Sequence, residues 1–158
     1  MTERTPALNS QLAEFSAPMT GDQTFSLGAH KGSKLVLFFY PKDNTPGCTA
    51  ESMRFRDLHD EFKAANCAIF GISRDSIRSH ESFKGKLGMP FELISDPDEA
   101  VCAAFDVMRM KSMYGKQVRG IERSTFVIDG SGKMVKEWRA VKVPDHVDEV
   151  LAYVKTLA

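Results

Sequence analysis

Residues 35–49 read Leu-Val-Leu-Phe-Phe-Tyr-Pro-Lys-Asp-Asn-Thr-Pro-Gly-Cys-Thr, an apolar run that breaks into a turn and then into a helix. The apolar part, residues 35–40, is typical of a buried strand, and residues 41–47 are typical of a turn. The helix predicted over 48–65 therefore begins at Cys48. A cysteine in a first helical turn faces unsatisfied backbone N–H groups and the positive end of the helix dipole, and both favour a negatively charged sulfur. We expect Cys48 to be a reactive thiolate.

The composition favours one soluble domain over residues 1–158. The chain has 158 residues, of which 42% are hydrophobic, and this is enough to bury one sizeable core. Its 21 basic and 21 acidic side chains balance, whereas a nucleic-acid partner needs a basic surface. The first fifteen residues lack a secretory apolar region, and no segment approaches the roughly 18 apolar residues of a membrane span. We therefore expect a cytoplasmic protein without a nucleic-acid or membrane partner.

The cysteines and histidines do not predict a metal site. Cys48, Cys67 and Cys102 lack the spacing of metal ligands and are too few for a disulfide framework. His30, His80 and His146 are scattered along the chain, so we assign them surface or capping roles, and His59 lies eleven residues after Cys48, too far along the helix to act as its base. The candidate for chemistry is therefore a cysteine that works without a metal.

The remaining sequence alternates between strand and helix patterns, which is typical of an α/β protein with helices on both faces of its sheet. Short alternating pieces at 12–15 and 24–27 predict an N-terminal β-hairpin. The later predicted elements are strands 34–40, 67–72, 91–94, 124–128 and 134–138 and helices 48–65, 75–87, 97–105 and 145–157. Residues 107–122 are predicted to be a long irregular stretch.

Two kinds of neighbour are expected to support an ionised Cys48. The cysteine shares the apolar face of its helix, where desolvation opposes the charge, so a nearby cation is needed. Lys42 and Arg123 are the candidates, and Arg123 is the better one because a guanidinium stays protonated and presents several donors. Thr45 is predicted to cap the helix, with Pro46 in the first helical position. The Thr45 hydroxyl is also expected to reach the sulfur.

Residues 41–48, Pro-Lys-Asp-Asn-Thr-Pro-Gly-Cys, resemble the Pro-x-x-x-Thr-x-x-Cys signature of the peroxiredoxins. The subgroup that the chain resembles is peroxiredoxin Q, also called bacterioferritin comigratory protein, and the likeness continues at 71–73, 95–96 and 122–126. This resemblance implies a thioredoxin-like fold, with a central mixed β-sheet flanked by helices. It also implies thiol-dependent reduction of hydrogen peroxide or organic hydroperoxides without haem, flavin or metal.

The resemblance also implies roles for individual residues. Cys48 corresponds to the peroxidatic cysteine, Thr45 to the peroxide-positioning hydroxyl and Arg123 to the activating arginine. Pro41 corresponds to the shielding proline, and Glu51 is expected to orient the arginine.

The aromatic residues Phe38, Phe39 and Tyr40, which directly precede this signature, are expected to be core and pocket wall. An apolar collar around Cys48 would exclude water and admit organic hydroperoxides.

The chain departs from the family pattern at the resolving cysteine. Many members of the subgroup carry it five residues after the first cysteine, where this chain has Met53, and others carry it on the next helix, near Lys84 here. Cys67 and Cys102 remain, but both lie in apolar surroundings typical of packed structural thiols. We therefore expect a one-cysteine cycle in which thioredoxin, glutaredoxin or glutathione resolves the oxidised Cys48.

Three other classes of protein also use a reactive cysteine. A thiol–disulfide oxidoreductase needs a Cys-x-x-Cys pair, and Thr49, Ala50 and Glu51 follow Cys48 instead. A copper-handling protein needs a second soft ligand close to the cysteine in sequence, which is missing. A peroxide sensor that passes its oxidation to a partner protein uses the same activated cysteine and stays open as the alternative. The sequence also leaves the choice between monomer and homodimer open.

Overall fold

The computed structural model of the chain describes residues 6–157 and places seven of the nine strands found there in one mixed sheet. The strands are β1 (Ser16–Met19), β2 (Gln23–Ser26), β3 (Lys34–Phe39), β4 (Cys67–Ser73), β5 (Leu93–Ser95), β6 (Met108–Met113), β7 (Lys116–Ile121), β8 (Ser124–Ile128) and β9 (Met134–Trp138). Their order in the sheet is β2-β1-β5-β4-β3-β8-β9. The β3–β4 and β4–β5 pairs are parallel and the other pairs are antiparallel, as a βαβ core with added hairpins requires.

Five α-helices and one short 3₁₀-helix (Leu27–His30) accompany the strands in the described part of the chain. They are α1 (Pro46–Asp57), α2 (His59–Ala64), α3 (Ile77–Leu87), α4 (Ala100–Ala104) and α5 (His146–Lys155). The helix predicted over 48–65 begins two residues earlier, at Pro46, and is interrupted at Leu58. Neither a proline nor a glycine marks that interruption, so the helix pattern alone did not predict it. None of the helices within residues 6–157 is long and apolar enough to cross a bilayer.

The central strand β3 divides the interior into two cores. Its side chains alternate in direction, so Leu35, Leu37 and Phe39 pack on one face with residues of α4. Val36 and Phe38 pack on the other face with residues of α1, α2 and α5, and Tyr40, just after the strand, joins them. Each fully buried apolar side chain of this kind contributes on the order of 2 kcal/mol of hydrophobic free energy. The sheet therefore separates two hydrophobic cores, one on each face.

Two predicted regions differ from the structure. The N-terminal hairpin is present, but its first strand is β1 rather than residues 12–15. Residues 107–122 are not irregular, because β6 and β7 form a separate antiparallel hairpin within them. Its two-residue turn, Tyr114-Gly115, has positive φ angles of 53° and 78°. Tyrosine is uncommon in that conformation, so the turn carries no ordinary sequence signal.

Candidate active site

Cys48 lies where the chain leaves β3 and enters α1. Pro46 is the first residue of the helix, as predicted, and Cys48 is the third. N–H groups in a first helical turn have no acceptor within the helix, so their partial positive charge faces the sulfur. The cysteine itself is 0% exposed. The site is therefore a buried thiol at the positive end of a helix.

Arg123 provides a full positive charge beside this sulfur. It lies between β7 and β8, and its Nη2 atom donates to the Cys48 Sγ atom at 3.4 Å. Gly47 makes the approach possible, because a methyl group on Gly47 would lie 3.0 Å from that nitrogen. The structure thus brings together two residues that are 75 positions apart, as the sequence predicted. A guanidinium at this distance stabilises a negative charge on sulfur.

Glu51 completes the group from one turn further along α1. Its Oε1 atom accepts a hydrogen bond of 2.7 Å from Nη1 of Arg123, and its side chain is 0% exposed. The second oxygen, Oε2, has no hydrogen-bond partner among the described residues. Burial raises the pKa of Glu51 to about 7, although the charge and hydrogen bond of Arg123 act in the opposite direction. Glu51 therefore forms a buried ion pair with the guanidinium.

The raised pKa of Glu51 predicts that the free energy of unfolding depends on pH. The folded protein holds the carboxyl proton up to about pH 7, whereas the unfolded chain releases it near pH 4.5, so stability falls as the pH rises between these values. The free energy of unfolding of the wild type, relative to Glu51→Gln, should fall by on the order of 3 kcal/mol over this range and then stay constant. Urea unfolding of both proteins measures the difference, in which the other titrating groups cancel. A difference that is independent of pH would contradict the raised pKa.

Thr45 lies directly before the helix, but it does not cap it in the predicted way. Its hydroxyl donates to the backbone carbonyl of Lys42 at 2.9 Å and makes no capping hydrogen bond to the helix. This local bond uses the hydroxyl hydrogen and leaves oxygen lone pairs, so Thr45 is available as an acceptor. Helix α1 instead begins with a backbone bond, from the Thr49 N–H to the Thr45 carbonyl at 2.9 Å.

The residues expected around the Cys48 pocket do not all lie on the same face of the sheet. Pro41 is half-buried and follows the end of β3, and Tyr40 lies in the same core as Cys48. Phe39 is on the opposite face of the sheet, where its ring packs 5.3 Å from Phe105 and 5.6 Å from Phe126. The prediction that Phe39 walls the Cys48 pocket is therefore wrong, because adjacent residues of a strand point to opposite faces.

The other two cysteines are far from Cys48. Cys67 is the first residue of β4 and pairs with Lys34, the first residue of β3, whereas Cys48 follows the other end of that strand. The six residues of β3 span roughly 20 Å, so the two cysteines lie near opposite ends of this strand, although both belong to the same core. Cys102 lies in the core on the other sheet face. Burial raises the pKa of Cys67 to about 12 and also raises that of Cys102. All three cysteines are free.

A group of buried or half-buried polar side chains, one of them in the turn 41–47, was not predicted from the sequence. Asp43, Asp75 and His80 place possible metal-ligand atoms within 4.8 Å of one another, and no other such group occurs within residues 6–157. These atoms are engaged in hydrogen bonds with one another or with neighbouring hydroxyl and backbone groups. The cluster is therefore satisfied as a hydrogen-bond network.

The surface or capping role assigned to the histidines is wrong for two of them. His80 is 0% exposed and His146 is 5% exposed. The Nε2 atom of His146 lies 2.9 Å from the hydroxyl of Thr125, and burial lowers the pKa of His146 to about 4. Their partners are distant in sequence, so local patterns could not reveal these positions.

Known sequences match the chain closely. The model of the AhpC/TSA family matches residues 8–137. The chain is 49% identical to Peroxiredoxin Bcp of Xanthomonas campestris pv. campestris over 158 residues, which are 100% of this chain and 99% of that protein. It is 48% identical to Peroxiredoxin Bcp of Bacillus subtilis over 136 residues, with 86% of this chain and 87% of that protein covered.

Solved structures of peroxiredoxins are also similar to this chain. Xanthomonas campestris Peroxiredoxin Q is similar with a TM-score of 0.86 and 51% identity over 90% of each chain. A mutant of Xylella fastidiosa PrxQ has a TM-score of 0.91 and 42% identity, with 95% of this chain and 96% of that one covered. Another solved structure concerns the alkyl peroxide reduction activity of the Xanthomonas campestris bacterioferritin comigratory protein. The predicted thioredoxin-like fold is confirmed by these neighbours, and the chain belongs to the AhpC/TSA family as a peroxiredoxin of the Bcp, or Q, type.

Proposed function

We propose that this peroxiredoxin reduces hydrogen peroxide and organic hydroperoxides through the Cys48 thiolate. The observation that carries the proposal is the 3.4 Å contact between Arg123 Nη2 and Cys48 Sγ at the start of α1. The guanidinium and the helix terminus favour the nucleophilic form of the thiol. The alkyl peroxide reduction activity of the similar Xanthomonas protein supports an organic hydroperoxide as one substrate class.

The first half-reaction transfers one oxygen to sulfur. The thiolate attacks one peroxide oxygen, the O–O bond breaks, and Cys48 becomes a sulfenic acid while the other oxygen leaves as hydroxide or alkoxide. A proton from solvent converts that anion to water or an alcohol. No separate general base is needed, because the sulfur reacts as an anion.

The surrounding groups hold the peroxide in line with the sulfur. Arg123 and the N–H groups of the first turn of α1 stabilise the charge that moves onto the leaving oxygen. Thr45 accepts a hydrogen bond from the peroxide O–H, because its own hydrogen is bonded to the Lys42 carbonyl. Pro41 shields the sulfur from water. Positioning and fixed electrostatics therefore supply the catalysis.

An external thiol completes the cycle. Disulfide formation needs Cα atoms about 4.4–6.8 Å apart, whereas roughly 20 Å of strand separates Cys67 from Cys48 and the sheet lies between Cys102 and Cys48. A small thiol, or thioredoxin or glutaredoxin, attacks the sulfenic acid, releases water and forms a mixed disulfide. A second thiol then releases reduced Cys48.

The one-cysteine cycle predicts that the other two cysteines are dispensable. Cys67→Ser and Cys102→Ser should keep the wild-type rate of thiol-dependent peroxide consumption, because neither thiol comes near Cys48. Mass spectrometry after one equivalent of peroxide should show sulfenic acid at Cys48, and a glutathione adduct there when glutathione is added. An intramolecular disulfide from Cys48 to either cysteine would refute this cycle.

The enzyme is favoured over the peroxide sensor by its likeness to a protein with peroxide reduction activity. Sustained consumption of peroxide over many turnovers with glutathione, glutaredoxin or thioredoxin tests this, whereas a sensor stops after one equivalent. We further propose that the chain works in the cytoplasm, where free cysteines stay reduced.

A further inference from the structure

A buried ion-pair network lies beneath the segment that carries the peroxidatic signature. Oδ1 of Asp43 accepts a hydrogen bond of 2.7 Å from the hydroxyl of Tyr40. Oδ2 accepts one of 2.8 Å from the hydroxyl of Ser79 and lies 2.8 Å from Nδ1 of His80. The side chains of His80 and Asp43 are 0% and 1% exposed. None of these four residues takes part in the reaction proposed above.

Both ring nitrogens of His80 face hydrogen-bond acceptors. Its Nε2 atom lies 2.9 Å from the carbonyl oxygen of Ile94, which only accepts hydrogen bonds. Its Nδ1 atom faces the Asp43 carboxylate, which also accepts, and lies 3.4 Å from the Tyr40 hydroxyl. Burial acts to raise the pKa of Asp43, but the hydrogen bond and charge of His80, together with the hydrogen bonds of Tyr40 and Ser79, outweigh it and lower that pKa. Asp43 and His80 therefore form a buried ion pair.

This pair ties the turn between β3 and α1 to another part of the fold. Asp43 lies in the turn and His80 lies in α3, 37 residues later. A second bond acts on the backbone, where the Asp43 N–H donates to Oδ2 of Asp75 at 2.9 Å. Asp75 is itself fixed by the hydroxyl of Ser73, at the end of β4. The turn is thus held by both its side chain and its main chain.

We propose that Asp43 and His80 are a positioning pair for peroxide reduction, which holds the turn so that Thr45 and the first turn of α1 face the peroxide. The inference rests on the proposed function and extends it to residues that do not touch the substrate. The pair acts through Thr45, which follows Asp43 by two residues and directly precedes the helix. A turn released from α3 still carries the thiolate, but it no longer aligns the peroxide oxygens.

The test compares two reactions of the same sulfur in folded His80→Gln. The first is sulfenic acid formation with hydrogen peroxide, followed by stopped flow in a single turnover. The second is alkylation by iodoacetamide at the same pH, which needs the thiolate and access but not an aligned peroxide. Loss of positioning should slow the first reaction by about 10- to 100-fold and leave the second unchanged or faster.

His80→Asn is the matched control. A glutamine amide can replace the Nε2 donor toward Ile94, whereas an asparagine amide can replace the Nδ1 donor toward Asp43. We therefore expect His80→Asn to recover part of the peroxide rate that His80→Gln loses. If His80→Gln does not fold, Asp43→Asn decides, because it removes the carboxylate of the pair and keeps the size of the side chain. It should show the same separation of the two rates.

Two results would overturn the positioning pair. A parallel fall of both rates would mean that the pair acts on the charge of the sulfur, and unchanged rates in a folded variant would mean that it serves stability alone. Failure of the proposed function looks different, because the wild-type protein itself would then not react with peroxide.

Discussion

Cys48→Ser should abolish thiol-dependent peroxide consumption. A serine hydroxyl has no accessible anionic form at neutral pH, and the helix terminus and Arg123 then have no nucleophile to stabilise. The sulfur is the only atom that changes oxidation state in the proposed cycle, so no neighbouring group can substitute for it. Consumption of hydrogen peroxide and of an organic hydroperoxide, each with an added thiol, should fall to the rate of the buffer.

The controls for this variant are the same substitution at the other two thiols. Cys67 and Cys102 are buried like Cys48, so Cys67→Ser and Cys102→Ser bury a comparable hydroxyl without touching the site. A buried hydroxyl without a partner costs about 1–3 kcal/mol, and urea unfolding of all three variants shows whether they remain folded. Peroxidase activity that survives in folded Cys48→Ser would remove the basis of the proposed function.

Arg123→Gln should give the second largest loss. The guanidinium contacts both Cys48 and Glu51, and its removal takes away the cation beside the sulfur and a donor toward the leaving oxygen. Loss of one such donor costs about 10²- to 10³-fold in rate, so the rate constant for the reaction with peroxide should fall by about that factor. Alkylation by iodoacetamide should also slow, because Arg123 supports the thiolate itself. This joint loss distinguishes Arg123 from His80.

Two further variants separate the parts of this effect. Arg123→Lys keeps a positive charge but loses the fork of donors, so it should recover the alkylation rate more fully than the peroxide rate. Arg123→Gln combined with Glu51→Gln removes the carboxyl that the single variant leaves buried without its cation. The double variant should regain stability but not peroxide reactivity. A wild-type peroxide rate in Arg123→Gln would show that the 3.4 Å contact has no catalytic role.

Local sequence signals predicted the part of the fold that carries the site. The apolar run of β3, the turn before Pro46 and the helix that follows were foreseen because each rests on short-range rules. The two parts of the helix were not, since Leu58 is an ordinary helical residue and its packing is decided by the tertiary fold. The β6–β7 hairpin was missed because its turn uses Tyr114, which breaks the usual preference for that conformation.

The sequence also predicted some features of the site and not others. The Pro-x-x-x-Thr-x-x-Cys resemblance predicted that Arg123 belongs with Cys48, and the folded chain brings them together. The complete burial of Glu51 was beyond the sequence, because a carboxylate in a polar helix normally faces solvent. The Asp43–His80 pair joins two segments that only the fold brings together.

The burial of Cys48 has a consequence for the timing of the cycle. Pro41 and Thr45, in the turn before Cys48, are half-buried, and a peroxide is much smaller than a thiol carried by a peptide or a protein. Because 0% of the Cys48 residue is exposed, we expect the start of α1 to move before such a thiol contacts the sulfur. The reaction with the reductant is therefore expected to need a larger displacement of this helix start than the reaction with peroxide.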